Sequence, residues 1–164
     1  MSWTKQILRL LVVMLLQVLL FNQLQLWGLC HPYIFILFLL LMPITLPEHV
    51  DMIIGACVGL LMDVSCNSPG VHMAACTLLM FIKRYVIGIF VNDRDRLNEE
   101  ISSKTLSMAA MLKYCAIMVL VYHLVVFSLA AWSWSHIGLV LQETLVSSVV
   151  AFAIIATYNI LKDR

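Results

Sequence analysis

The sequence predicts an all-α integral membrane protein, a single polytopic domain over residues 1–164 with six transmembrane helices and both ends in the cytoplasm. Three observations predict it. The chain is 63% hydrophobic and 12% charged, with a mean hydropathy of +1.00, whereas soluble domains carry roughly a quarter charged residues. Its apolar residues gather into runs close to the ~20 residues a helix needs to cross a bilayer. Its ten Lys and Arg all fall on one side when those runs alternate in direction, which is the positive-inside pattern.

Runs between polar or Gly/Pro breaks place the helices at about 6–22, 31–46, 50–64, 70–91, 108–131 and 137–161. The first opens with Lys5 and Arg9 like a signal peptide, but it ends in Asn22-Gln23-Leu24-Gln25 with no small-x-small cleavage site. It therefore reads as an uncleaved helix that also directs insertion. The third is the shortest, because Asp51 and Asp63 bracket its apolar stretch, and a short or re-entrant helix is an alternative there. The breaks at His31-Pro32, at 43–48, at Ser65-Cys66-Asn67-Ser68-Pro69-Gly70 and at Trp132-Ser133-Trp134-Ser135-His136 disfavour helix continuation or suit turns.

Orientation follows from the charges. Lys5 and Arg9 begin the chain, Lys83, Arg84, Arg94, Arg96, Lys104 and Lys113 surround the fourth connection, and Lys162 and Arg164 end it. The N-terminus, the 92–107 loop and the C-terminus are thus expected in the cytoplasm. Trp27, Tyr33, Trp132 and Trp134 suit the outer headgroup belt. The net charge of +1 carries no polyanion-binding bias, so nucleic acid is not an expected partner.

Candidate chemistry is thin. The five cysteines form no C-x-x-C pair and no Cys/His cluster with zinc spacing, so no metal is expected. Free thiols packing as small hydrophobes is the simple reading, with a disulfide between Cys30 and Cys66 an alternative. No nucleophile-and-base set, H-E-x-x-H, G-x-S-x-G or phosphate-binding glycine loop occurs, which points away from an enzyme and from a cofactor. Ionisable groups inside a bilayer cost about 2.5–3.5 kcal/mol at mid-helix, so the few present carry information. Gly55, Gly59 and Asp63 recur every four residues and lie along one helical stripe, a close-approach seam with a polar end. Either a partner helix or the fold's own packing could use it. His123 in a helix interior reads first as a satisfied hydrogen-bonding residue. Gln142 and Glu143 near the start of the sixth helix suit the helix N-terminal dipole, or else a polar contact inside the bundle with His72 or His123. The 92–107 stretch reads as a solvated helical loop or a docking surface.

The stretch Gly55-Ala56-Cys57-Val58-Gly59-Leu60-Leu61-Met62-Asp63-Val64, followed by Ser65-Cys66-Asn67-Ser68-Pro69-Gly70-Val71-His72, resembles the central signature of the rod shape-determining protein MreD family. That signature is a glycine-bearing helix ending in Gly-Leu-x-x-Asp, a short polar turn ending in Gly (here Pro69-Gly70), and a helix opening with small residues, here Ala74 and Ala75. Chain length, six segments, a basic central loop and a basic tail match in outline, while the specific motif covers only 55–75. The resemblance implies a non-catalytic inner-membrane subunit of the bacterial elongation machinery, which controls cell shape through lateral peptidoglycan synthesis. It implies as partners a bitopic MreC-like protein, a RodA-type synthase with its transpeptidase and, through the 92–107 loop, the actin-like MreB. The family is also similar in its six-helix layout to the substrate-binding subunits of energy-coupling-factor transporters. A small-molecule-binding transporter subunit is therefore the alternative function.

Overall fold

The computed structural model describes residues 3–23, 30–43, 46–90, 101, 106–131 and 137–162. The expectations for Trp27, Trp132, Trp134, Arg94, Arg96, Lys104, Arg164 and most of the 92–107 loop lie outside these. Among the described residues the chain is mostly helical: α1 (Trp3–Leu19), α2 (Ile36–Leu41), α3 (Glu48–Cys66), α4 (Val71–Phe90), α5 (Met108–Ala131) and α6 (Ile137–Lys162), with a 3-10 turn at Phe21–Gln23. Four of them, α3 to α6, are long and apolar enough to cross a membrane, and α1 carries a shorter apolar stretch at Gln6–Leu19.

The third segment, expected as a helix over 50–64, is a continuous 19-residue helix, roughly 28 Å long at 1.5 Å per residue. Pro47 sets its start, and Glu48 and Asp51 in the first turn complement the helix dipole. The second segment, expected as a helix over 31–46, is helical only across the six residues of α2. Those span about 9 Å, far short of a bilayer. Ahead of α2, residues 31–34 have no regular structure. From Ile34 to Met42 the stretch is enclosed, with Phe35, Ile36, Leu39, Leu40 and Leu41 at 0% exposure. Non-helical backbone at membrane depth is tolerated where protein surrounds it and supplies its hydrogen bonds.

The centre of the bundle is α5, whose Met111, Tyr114, Cys115, Met118, Tyr122 and Val126 are all buried at helical spacing. It packs between α4 and α6. The facing side of α6 is small and polar, with Thr144, Ser147, Ser148, Ala151 and Asn159 buried. The pairing of α3 with α4 is the most extensive in the fold, while α1 lies at the periphery against α2. Ile7, Leu8, Leu11, Leu15 and Leu19 of α1 are exposed, a surface that suits lipid rather than water.

Candidate functional site

The glycine stripe is where α3 and α4 meet. A Cβ added at Gly59 would sit 2.5 Å from the His72 carbonyl oxygen and 2.6 Å from Met73 Cα, and one at Gly55 would sit 2.8 Å from the Cys76 carbonyl oxygen. Only hydrogen fits where two backbones pass this closely. The seam is therefore occupied by α4 and is not an open face for another protein's helix.

One turn beyond Gly59, Asp63 closes the hairpin. The backbone N–H of His72 donates to Asp63 Oδ1 at 2.9 Å, and that of Met73 donates to Oδ2 at 2.8 Å. The Ser68 hydroxyl donates to Oδ1 at 2.5 Å. Two of the orphan donors in the first turn of α4 thus receive a carboxylate from the neighbouring helix, which also complements the α4 dipole. The connecting turn is built for reversal. Asn67 takes the left-handed region at φ 53° and Gly70 lies at φ 82°, while Ser68 N–H donates back to the Asp63 carbonyl at 3.0 Å. Pro69 is exposed at the tip.

His72 and Tyr122 form the next layer inward, with His72 Nδ1 and the Tyr122 hydroxyl hydrogen-bonded at 2.7 Å. Tyr33, from the irregular stretch, sits among their rings, 4.7 Å from His72 and 5.7 Å from His123 between centroids. His123 Nδ1–H donates to the Val119 carbonyl at 2.8 Å. That leaves Nε2 to accept from Tyr33 N–H at 3.4 Å, so the neutral imidazole holds the broken backbone.

Gln17 of α1 does most to hold it. Its Oε1 accepts from Ile34 N–H at 2.6 Å and Phe35 N–H at 3.3 Å. Its Nε2 donates to the Pro32 carbonyl at 3.2 Å and to Asn22 Oδ1 at 3.1 Å. Ser147 Oγ accepts from His31 N–H at 2.9 Å. Around this clamp lies a polar cavity of about 360 Å³, lined by Gln17, Phe21, Asn22, His31, Tyr33, Ser65 and Cys66.

The far end of the broken segment is pinned by cations. Lys83 Nζ, at 1% exposure, donates to the carbonyls of Leu39 at 2.8 Å and Met42 at 2.5 Å. Tyr114 donates to the Leu40 carbonyl at 3.1 Å. Together they cap the C-terminal carbonyls of α2, where a helix favours positive charge. Arg84 donates to the Leu46 carbonyl and pairs with Asp51 Oδ2 at 2.7 Å.

Of the residues singled out from sequence, Gly55, Gly59, Asp63, Gly70 and His72 come together in the hairpin, and His123 lies beside its inner layer. Gln142 is exposed and Glu143 half-buried. Gln142 does not face the bundle interior, because Thr144 and Ser147 hold that side of α6. Cys30 and Cys66 are free thiols. Sequence reasoning missed Gln17, Tyr33 as a half-buried residue packed against the core, and Lys83 as a cap. The available signal was a lone amide or ammonium inside an apolar run. No protein-family model, curated protein or solved structure matches the chain.

Proposed function

We propose that this chain is a non-catalytic membrane scaffold of the bacterial cell-elongation complex, multi-pass in the inner membrane with both ends in the cytoplasm. The observation that carries the reading is the use made of the signature that resembles the MreD family. Its Gly55, Gly59, Asp63, Ser68, Gly70 and His72 build one rigid hairpin, and both oxygens of the carboxylate are taken by that hairpin. A group so engaged stiffens a platform rather than performing acid or base chemistry. Six crossings are compatible with the broken segment. Its four leading residues, if extended, and the seven from Phe35 to Leu41 in helical conformation together cover about 24 Å. On this reading the partners are an MreC-like bitopic protein, a RodA-type synthase with its transpeptidase, and MreB at the 92–107 loop.

Depleting the protein from its own cells tests it. Rods should become spheres, and labelled precursor should cease to enter the lateral wall while septal incorporation persists. Unchanged rods with unchanged lateral labelling would refute the scaffold. Reporter fusions after residues 98 and 164 should read cytoplasm, and one after 134 the exterior.

The polar cavity beside Tyr33 favours one second reading, a small-molecule-binding transporter subunit. Its mark would be a stoichiometric polar compound released on denaturing the purified protein and lost in Tyr33→Ala. Depletion would then impair uptake of that compound and leave shape intact.

A further inference from the structure

The polar cavity beside Tyr33 is built from stretches of chain without a fixed positive charge. Residues 10–82 and 114–161 contain no Lys or Arg, and among the described residues that line the cavity none is basic except His31. Negative charge does reach it. Glu143 does not itself line the cavity, yet its carboxylate acts electrostatically on the Tyr33 phenol, and the Asp63 carboxylate acts on Cys66. Three rings, Phe21, His31 and Tyr33, contribute to the wall. We infer that the cavity binds an alkylammonium cation, its charge set against those rings in the field of Glu143. The inference rests on the reading of this cavity as a small-molecule site and is independent of the scaffold.

The hydrogen bonds already made disfavour the other ligand classes. An anion would need spare donors or a cationic partner, but Gln17 Nε2 has already donated to the Pro32 carbonyl and to Asn22 Oδ1. A hard metal ion such as Ca²⁺ takes about six to eight oxygen ligands. Here Gln17 Oε1 is taken by the N–H groups of Ile34 and Phe35, Asn22 Oδ1 by Gln17, and both Asp63 oxygens by the start of α4. The cation that suits this wall is one that needs no shell of oxygens. An alkylammonium meets that condition, because the quadrupole of an aromatic ring attracts it directly and a nearby carboxylate adds to the attraction.

Isothermal titration of the full chain, freed of bound compound in a neutral detergent, tests the site with choline and with neohexyl alcohol, its uncharged isostere carrying carbon in place of the nitrogen. Choline should bind about tenfold more tightly than the alcohol. Glu143→Gln, at a half-buried position, should cut that preference severalfold with an unchanged unfolding midpoint, and Phe21→Leu should weaken choline more than the alcohol. A short-chain phosphatidylcholine displacing choline at lower concentration than choline itself would mark a lipid headgroup as the natural source, and the reverse order a free amine. Equal affinity for the two probes, or release of a neutral or anionic compound from the purified chain, would overturn the cation assignment while leaving a small-molecule site. A choline preference unchanged in both variants would place the ammonium elsewhere and overturn the site. Binding of neither probe, with no compound released on denaturation, would remove the cation and the small-molecule reading together.

Discussion

Replacing Gly59 by alanine sets two opposed effects against each other in one methyl group. Removing a helix glycine gains up to about 1 kcal/mol of propensity. The new Cβ, however, meets the His72 carbonyl oxygen at 2.5 Å, Met73 Cα at 2.6 Å and the His72 carbonyl carbon at 2.7 Å. All three are backbone atoms, so no side chain can rotate away and α3 must part from α4. Overpacking costs about 1–3 kcal/mol, and a contact with unyielding backbone belongs at the upper end. Parting the helices also stretches the bonds from Asp63 to His72 and Met73, now 2.9 and 2.8 Å. The net expectation is a loss of about 2 kcal/mol, or roughly 4–8 °C in a chain of this size. Thermal unfolding in one detergent, followed by tryptophan fluorescence, reads it. Gly88→Ala is the control, because a Cβ there meets nothing within 4 Å, and it should leave the midpoint level or slightly raised. A Gly59→Ala midpoint equal to that control would refute close backbone packing at the seam.

Asp63→Asn keeps size and one acceptor but removes the charge and puts an amide N–H₂ against an N–H. It should cost about 1.5–3 kcal/mol, read as a lower unfolding midpoint together with faster amide exchange at His72 and Met73. Gln17→Leu strips the Ile34 and Phe35 N–H groups and the Pro32 carbonyl of their partner. Protease sensitivity should rise within 30–35 while α5 and α6 stay protected, and an unchanged digest would count against the clamp. Lys83→Met removes an ammonium but bares the Leu39 and Met42 carbonyls. Orphaned acceptors cost about 1–3 kcal/mol each, so chemical denaturation should show a net loss, and a gain would mean that desolvation of the ammonium dominates.

The helical class and the four long apolar helices were legible because composition and run length are local properties. Four-residue spacing likewise put Gly55, Gly59 and Asp63 on one face, since helix periodicity fixes which residues share a stripe. It cannot name the neighbour, and that neighbour proved to be α4, which begins five residues after α3 ends. The second segment was misread for a physical reason. An apolar run of this kind reads the same as helix or extended chain, and what decides it is the supply of distant hydrogen-bond partners. Gln17 lies 15 residues from Pro32, and Ser147 lies 116 residues from His31. Lys83 shows a similar gap. The charge bias assigned it a side of the membrane but not a depth, and it lies about 10 Å inside the end of α4, buried against α2.

Whether the chain is a scaffold is tested most directly by what leaves the membrane with it. A tagged copy, expressed at native level in its own cells and purified in mild detergent, should carry a bitopic MreC-like protein and a RodA-type synthase in fixed ratio. Asp63→Asn should weaken that recovery only in proportion to its loss of folded protein. A chain that emerges free of both, and instead releases one polar compound per molecule, would contradict the scaffold and support the transporter reading.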